Sequence, residues 1–151
     1  MLNQGSGADV FRLPATRHIP GTGSKPDKHY LEQIISLVPD KTQANLWQDN
    51  VPYRYGWWLF QHSYFWEAHE VWEAVWWRAT PQSLERHFMQ GIIQLSNASL
   101  KHKQNHYRAC NRIVSAALEL LGEGRFKSAF MGVDVRAICT LLCSMISSDA
   151  L

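Results

Sequence analysis

Apolar residues recur with the three-to-four-residue spacing of α-helices along most of the chain after residue 26. The first run follows Asp27, a suitable N-cap, and ends at Pro39. A second helix, with Pro52 in its first turn, is predicted to bend or break near His62, and Ser63 is predicted to cap the central helix. No segment alternates with the period of two that is typical of a strand.

The rest of the chain continues the helical pattern. Ser83 is a suitable cap for a helix over about 84–103, Gly122 ends the next helix, and Asp134 caps the last one. The pattern predicts an all-α fold, a single compact bundle of about five or six helices. Residues 1–26 are rich in Pro and Gly and are predicted to form an irregular N-terminal arm, whereas residues 27–151 form one helical domain.

Composition narrows the class of protein. The chain has 151 residues, 46% hydrophobic and 19% charged, which is typical of a globular domain with its own core. No apolar run approaches the roughly 18 residues of a membrane span, and the first ten residues do not resemble a secretory signal. We therefore expect a cytoplasmic protein with no membrane partner. An odd number of cysteines without CxxC spacing favours core thiols over a disulfide framework.

The central helix, over residues 64–78, concentrates the candidate chemistry. At about 100° per residue, an imidazole, two carboxylates and two indoles share one face. Because ionised carboxylates are rarely buried without partners, a helix this rich in tryptophan is expected to hold them in a polar cluster. The shared face carries Trp66, His69, Glu70, Glu73 and Trp77. The opposite apolar stripe carries Phe65, Ala68, Trp72, Val75 and Trp76, while Glu67 and Arg78 are expected in solvent.

A polar row on the next helix suggests what this face meets. Gln90 and Gln94 stand one turn apart and are expected to oppose the His/Glu face. Two interpretations follow: a buried, satisfied network that locks two helices together, or a pocket for a small cationic or polar ligand. The pocket would comprise Trp66, His69, Glu70, Glu73, Trp77, Gln90 and Gln94.

A metal-dependent hydrolase is the alternative. The run His-Glu-x-x-Glu differs from the zinc-protease pattern His-Glu-x-x-His, since Glu73 stands where the second histidine would be. In this interpretation His69 and Glu73 bind a divalent metal, His62 or His87 completes the ligand set, and Glu70 is the catalytic base that activates water. The sequence decides neither whether the chain is an enzyme nor which cofactor it takes.

The sequence suggests two kinds of macromolecular partner. The crowded tryptophans favour a homo-oligomer that shares aromatic surface. A weak nucleic-acid-binding module is a further alternative, but a net charge of +2 and the distance of the aromatic residues from the basic ones disfavour it. The basic residues are Lys101, His102, Lys103, His106, Arg108 and Arg112.

Two helix motifs carry a family resemblance. Ala-His-Glu-x-x-Glu-x-x-Trp begins at Ala68 and Gln-Gly-x-x-Gln begins at Gln90, and both closely resemble the family called domain of unknown function 309. The similar core spans about 53–121, and residues 132–135 and the Pro-rich arm also look like parts of the family. Ser63 and the turn at Asn105 depart from it, because relatives have glycine there. The resemblance implies a compact helical domain and no established activity.

Overall fold

The computed structural model describes residues 11–122 and 124–148. Over these residues the chain is a helical bundle with one very small antiparallel sheet, which confirms the all-α prediction. The helices are α1 (His29–Ile35), α2 (Val51–Gln61), α3 (Phe65–Trp77), α4 (Leu84–Lys103), α5 (Tyr107–Leu121) and α6 (Val135–Ser144), with a 3-10 helix (Ala44–Asp49) before α2. The sheet pairs β1 (Ala129–Phe130) with β2 (Val133–Asp134), and Phe130 stands opposite Val133.

Three predicted helix starts are confirmed by their contacts. Pro52 lies in the first turn of α2. The Ser83 side chain accepts the Arg86 N–H at 3.1 Å at the start of α4, and Asp134 accepts the N–H groups of Arg136 and Ala137 at the start of α6. Each side chain satisfies backbone donors that have no partner inside the helix.

Two predicted caps are wrong. Helix α1 begins after Lys28, and the Asp27 carboxylate instead accepts the Ala15 N–H of the arm at 2.9 Å. Tyr64, not Ser63, is the N-cap residue of α3, and it makes no side-chain cap. Ser63 has a φ of 63° and Asn105 a φ of 61°, in the left-handed region that glycine adopts most readily. These are the two turns where the family resemblance expected glycine.

Consecutive helices form the core, and the most extensive contacts are those of α4 with α5, α3 with α4, and α2 with α3. Helices α2 and α3 approach closely because Gly56 has no side chain: a Cβ there would overlap the indole of Trp72. That indole donates from Nε1 to the Tyr53 carbonyl oxygen at 3.2 Å. Gly91 has the same role on α4, where a Cβ would overlap the Leu121 side chain of α5.

The 3-10 helix and the two-residue strands were not predicted, because neither is long enough to show a period. They are tied to the core by tertiary contacts. The Tyr53 hydroxyl donates to the Met131 carbonyl oxygen at 2.7 Å, and the Trp47 ring packs over Gly132, whose φ is 77°. The turn between β1 and β2 therefore packs against α2.

The described part of the arm, residues 11–26, contains no helix or strand. It lies on α2 and α3. The Tyr55 hydroxyl donates to the Arg12 carbonyl oxygen at 2.8 Å, and the Phe11 ring lies 5.1 Å from the Tyr55 ring and 5.9 Å from the Trp58 ring. At its far end, Gln104 donates to the Pro20 carbonyl oxygen at 3.0 Å.

The prediction that the cysteines are core thiols is confirmed for Cys110 alone. All three are free thiols, and Cys110 is fully buried, but Cys139 is half-buried and Cys143 is exposed. Across residues 11–122 and 124–148, none of the helices is long and apolar enough to cross a membrane.

Candidate functional site

The candidate site lies on one side of α3. His69, Glu70 and Glu73 each offer a ligand atom, and these atoms all lie within 4.8 Å of one another. The closest pair is His69 Nε2 and Glu73 Oε1, 3.0 Å apart, as expected for positions four residues apart on a helix. Helical spacing alone is sufficient to bring the three groups together.

The cluster is at the surface, so the prediction that it is buried is wrong. The side chains of His69 and Glu73 are 23% and 54% exposed, and Glu70 is half-buried. Water can therefore hydrate the carboxylates that the sequence suggested would need buried partners. We call this side of α3 its outer side.

The buried carboxylate of α3 is Glu67, which was expected in solvent. Glu67 is fully buried, and its Oε2 atom accepts the His18 backbone N–H at 3.1 Å. Oε1 has no hydrogen-bond partner among the described residues. Burial raises the pKa of Glu67 above its ordinary value, and the His18 hydrogen bond opposes that shift.

The sequence contained a sign that Glu67 faces inward. It stands four residues before Val71 and eight before Val75, which are both fully buried, so it continues their stripe. What the sequence did not show is the arm. His18, whose backbone holds Glu67 and whose ring lies edge-on to Trp66 at 4.7 Å between centroids, was not predicted to approach α3 by any spacing rule.

The glutamines of α4 do not form the predicted bridge. Gln90 is exposed, and half-buried Gln94 accepts from Asn97 of its own helix at 3.4 Å. Over residues 11–122 and 124–148, no hydrogen bond joins Gln90 or Gln94 to His69, Glu70 or Glu73. The hydrogen bonding of a lock between α3 and α4 is therefore missing from this cluster.

The two indoles predicted to line the pocket differ from each other. Trp66 is half-buried beside the arm, whereas Trp77 is 68% exposed. The Trp77 ring contacts the Trp76 ring at 5.9 Å, and the Arg86 guanidinium lies 3.9 Å over Trp76 and 5.9 Å from Trp77. Trp77 therefore belongs to a separate aromatic surface at the end of α3.

The histidines proposed to complete a metal site have other contacts. Nδ1 of His62 lies 2.7 Å from the Trp58 carbonyl oxygen, and Nδ1 of His87 lies 2.9 Å from the Ser83 carbonyl oxygen. Because a carbonyl oxygen can only accept, Nδ1 is the donor in both rings. Neither histidine is among the three residues of the cluster.

The basic residues at the end of α4 and the start of α5 are exposed, except for half-buried Lys101. Lys103 is exposed, with its ammonium 6.0 Å from the centre of the Phe65 ring, and the His102 ring lies against Tyr107. Desolvation, and secondly the Arg17 charge, lower the pKa of Lys103. Lysine and histidine in a last helical turn also complement the helix dipole, so this region by itself indicates no nucleic-acid partner.

The helices that carry the site lie in a part of the chain that is similar to a known protein family. Neither the curated proteins nor the solved structures contain a match to this chain. The family model described as Domain of unknown function (DUF309) matches residues 53–113, which include nearly all of α2, the whole of α3 and α4, and the first half of α5. The arm, residues 114–121 and residues 132–135 lie outside that range. The resemblance to the DUF309 family is therefore confirmed over residues 53–113.

Proposed function

We propose that His69, Glu70 and Glu73 bind a divalent transition-metal ion on the outer side of α3. The observation that carries the proposal is the convergence of one imidazole nitrogen and two carboxylate oxygens within 4.8 Å. An imidazole and two carboxylates suit a metal such as Zn²⁺ or Mn²⁺ better than Mg²⁺, which prefers oxygen ligands and several waters.

The distances support this donor set. Neighbouring ligands of an octahedral ion with bonds of about 2.1 Å are roughly 3.0 Å apart. His69 Nε2 and Glu73 Oε1 are 3.0 Å apart, so they already have the separation of two adjacent ligands. A carboxylate oxygen of Glu70 lies within 4.8 Å of both atoms. Because Glu73 is exposed, water or a small ligand could reach the remaining coordination positions of a bound metal.

Isothermal titration of tag-free, chelator-treated protein with ZnCl₂, MnCl₂ and MgCl₂ tests the proposal. We expect one saturable site for Zn²⁺ or Mn²⁺, and at least tenfold weaker binding in His69→Ala and Glu73→Gln. His102→Ala and Glu119→Gln remove an exposed histidine and an exposed glutamate elsewhere and should bind as the wild type does. Binding that is equal in wild type and His69→Ala would contradict the proposal.

Glu70 has two candidate roles in this site. It is either the third ligand or a general base that activates a metal-bound water for hydrolysis. A base role requires a coordination position that is open to water. Glu70→Gln separates the roles. A ligand role predicts weaker metal binding in this variant, whereas a base role predicts unchanged binding and loss of metal-dependent hydrolysis of an activated ester.

A further inference from the structure

We propose that the face of α2 and α3 beneath the arm is a recognition site for an extended, cationic segment of another protein, and that the arm is its internal, replaceable occupant. This site is distinct from the metal cluster on the outer side of α3. It is lined by Tyr55, Trp58, Tyr64, Trp66 and Glu67.

The arm is bound as a docked peptide would be. It has no helix or strand, although residues 19–24 form a turn with its own hydrogen bonds, and side chains of the helices bind its backbone at three points. Tyr55 donates to the carbonyl oxygen of residue 12, Glu67 accepts the N–H of residue 18, and Gln104 donates to the carbonyl oxygen of residue 20. Since every peptide carries such carbonyl groups and nearly every residue an N–H group, these contacts suit any extended segment of suitable length.

The side-chain contacts select for positive charge. The Arg17 guanidinium lies 4.7 Å over the Tyr64 ring, and it donates to the His62 carbonyl oxygen at 3.1 Å. The Arg12 guanidinium lies 4.9 Å over the Tyr30 ring. Aromatic faces attract guanidinium groups through their quadrupole. The site, together with the adjoining Tyr30 of α1, thus offers two cation positions about five residues apart.

Glu67 shows that the arm is an incomplete occupant. A buried carboxylate normally has its oxygens satisfied by hydrogen bonds or by a counter-charge. The arm supplies one backbone N–H to Oε2 and nothing to Oε1, which is buried without a partner among the described residues. A guanidinium or ammonium group of another segment would satisfy both oxygens, since arginine binds carboxylates with two parallel hydrogen bonds. This unused acceptor indicates a cationic partner.

Few apolar contacts fasten the arm to the helices. Gly21 and Gly23, whose φ angles are 82° and 78°, lie in a turn that the arm closes by itself, because the Thr22 N–H donates to the Ile19 carbonyl oxygen at 3.3 Å. A Cβ at either glycine would meet no atom within 4 Å. Within residues 11–26, Pro14 is the buried apolar side chain, whereas Phe11 and Ile19 are half-buried and Leu13 is 42% exposed. Small buried apolar area implies a low free energy of opening.

Fluorescence anisotropy with the full-length chain tests the inference. The probe is a fluorescein-labelled synthetic peptide with the sequence of residues 11–27, and a second probe has both of its arginines replaced by glutamine. In the chain, Phe11→Ala weakens the attached arm and leaves the recognition site intact. We expect the first probe to bind the Phe11→Ala chain at least tenfold more tightly than it binds wild type, because the attached arm competes with it.

Binding to the Phe11→Ala chain should fall at least tenfold when Glu67→Gln is added, and also when the arginine-free probe is used. Glu85→Gln is the matched control. Glu85 likewise accepts a backbone N–H from a distant segment, that of Ala44 at 3.3 Å, but it lies away from the arm. If Glu67→Gln does not fold, Tyr55→Phe replaces it, since it removes only the hydroxyl that binds the backbone at residue 12.

Three results would overturn the inference: no saturable binding of the probe to the Phe11→Ala chain, equal binding of both probes, or unchanged binding in both Glu67→Gln and Tyr55→Phe. Dimerisation of the Phe11→Ala chain without peptide, seen as a concentration-dependent mass, would also overturn it. That outcome would assign the site to the arm of a second copy instead.

Discussion

Two carboxylates on α3 have opposite environments. Glu67 is fully buried, holds the arm through the His18 N–H, and has a raised pKa. Glu73, six residues later, is 54% exposed, and its side chain pairs with His69 of its own helix at 3.0 Å. Both glutamates lie within the regular part of one helix, so their backbone environments are alike. The difference comes from what lies against each side of the helix.

Polar residues therefore have different roles on the two sides of α3. On the inner side, a polar group is part of the packing and its loss leaves another group unsatisfied. On the outer side, a polar group is solvated and is available for an ion or a ligand. Substitutions on the inner side should change stability, whereas substitutions on the outer side should change metal binding and leave stability nearly unchanged.

Tryptophans provide the largest expected contrast between the two sides. Trp72 is fully buried against Trp57, with its indole N–H bonded to the Tyr53 carbonyl oxygen, whereas Trp77 is 68% exposed. Trp72→Ala should lower the free energy of unfolding by about 3–5 kcal/mol, because it creates a large cavity. Trp77→Ala should change it by no more than about 0.5 kcal/mol. Urea unfolding followed by circular dichroism measures both, and equal losses would contradict the assignment of sides.

The glutamates themselves give the next contrast. Glu67→Ala should lower the free energy of unfolding by about 1–3 kcal/mol at pH 5, because the His18 N–H loses its acceptor. Glu73→Ala in metal-free protein is the matched control and should be nearly neutral. Hydrogen exchange should also show loss of protection at the His18 amide in Glu67→Ala only. An unprotected His18 amide in wild type would show that the arm does not dock on Glu67.

The raised pKa of Glu67 predicts a pH effect confined to the inner side. A carboxyl whose pKa is higher in the folded chain binds more protons when folded, so stability falls as pH rises through the interval between the two pKa values. This interval begins near the ordinary value of 4.5 and extends upward to the raised pKa of Glu67. Relative to wild type, Glu67→Gln should therefore gain stability as pH increases above 4.5. Parallel stability curves for the two proteins in metal-free buffer would contradict this prediction.

The smallest expected effect is the coupling of His69 with Glu73. A partly exposed pair four residues apart on a helix contributes about 0.3–0.5 kcal/mol. A double-mutant cycle with His69→Ala and Glu73→Ala in metal-free protein measures it. A coupling above about 1 kcal/mol would contradict the assignment of this pair to the solvated side of α3, since exposed pairs contribute less.

The helices were predictable for a local reason. Apolar periodicity, Pro52, Ser83 and Asp134 act within a few residues of where they stand, and each is confirmed at its position in α2, α4 or α6. The wrong caps at Asp27 and Ser63 have different causes. The Asp27 carboxylate accepts the Ala15 N–H of the arm, twelve residues away. Ser63 has a positive φ in the turn that ends α2, where its N–H donates to the Phe60 carbonyl oxygen.

Local sequence is sufficient to predict the helical bundle and the convergence of His69, Glu70 and Glu73, because helical geometry brings residues three and four apart together whatever surrounds them. Which polar groups are buried depends instead on tertiary contacts. His18 of the arm is 49 residues away from Glu67 along the chain, and its docking follows no period. The burial of Glu67 and the exposure of Glu73 and Gln90 therefore depend on how the helices and the arm are assembled.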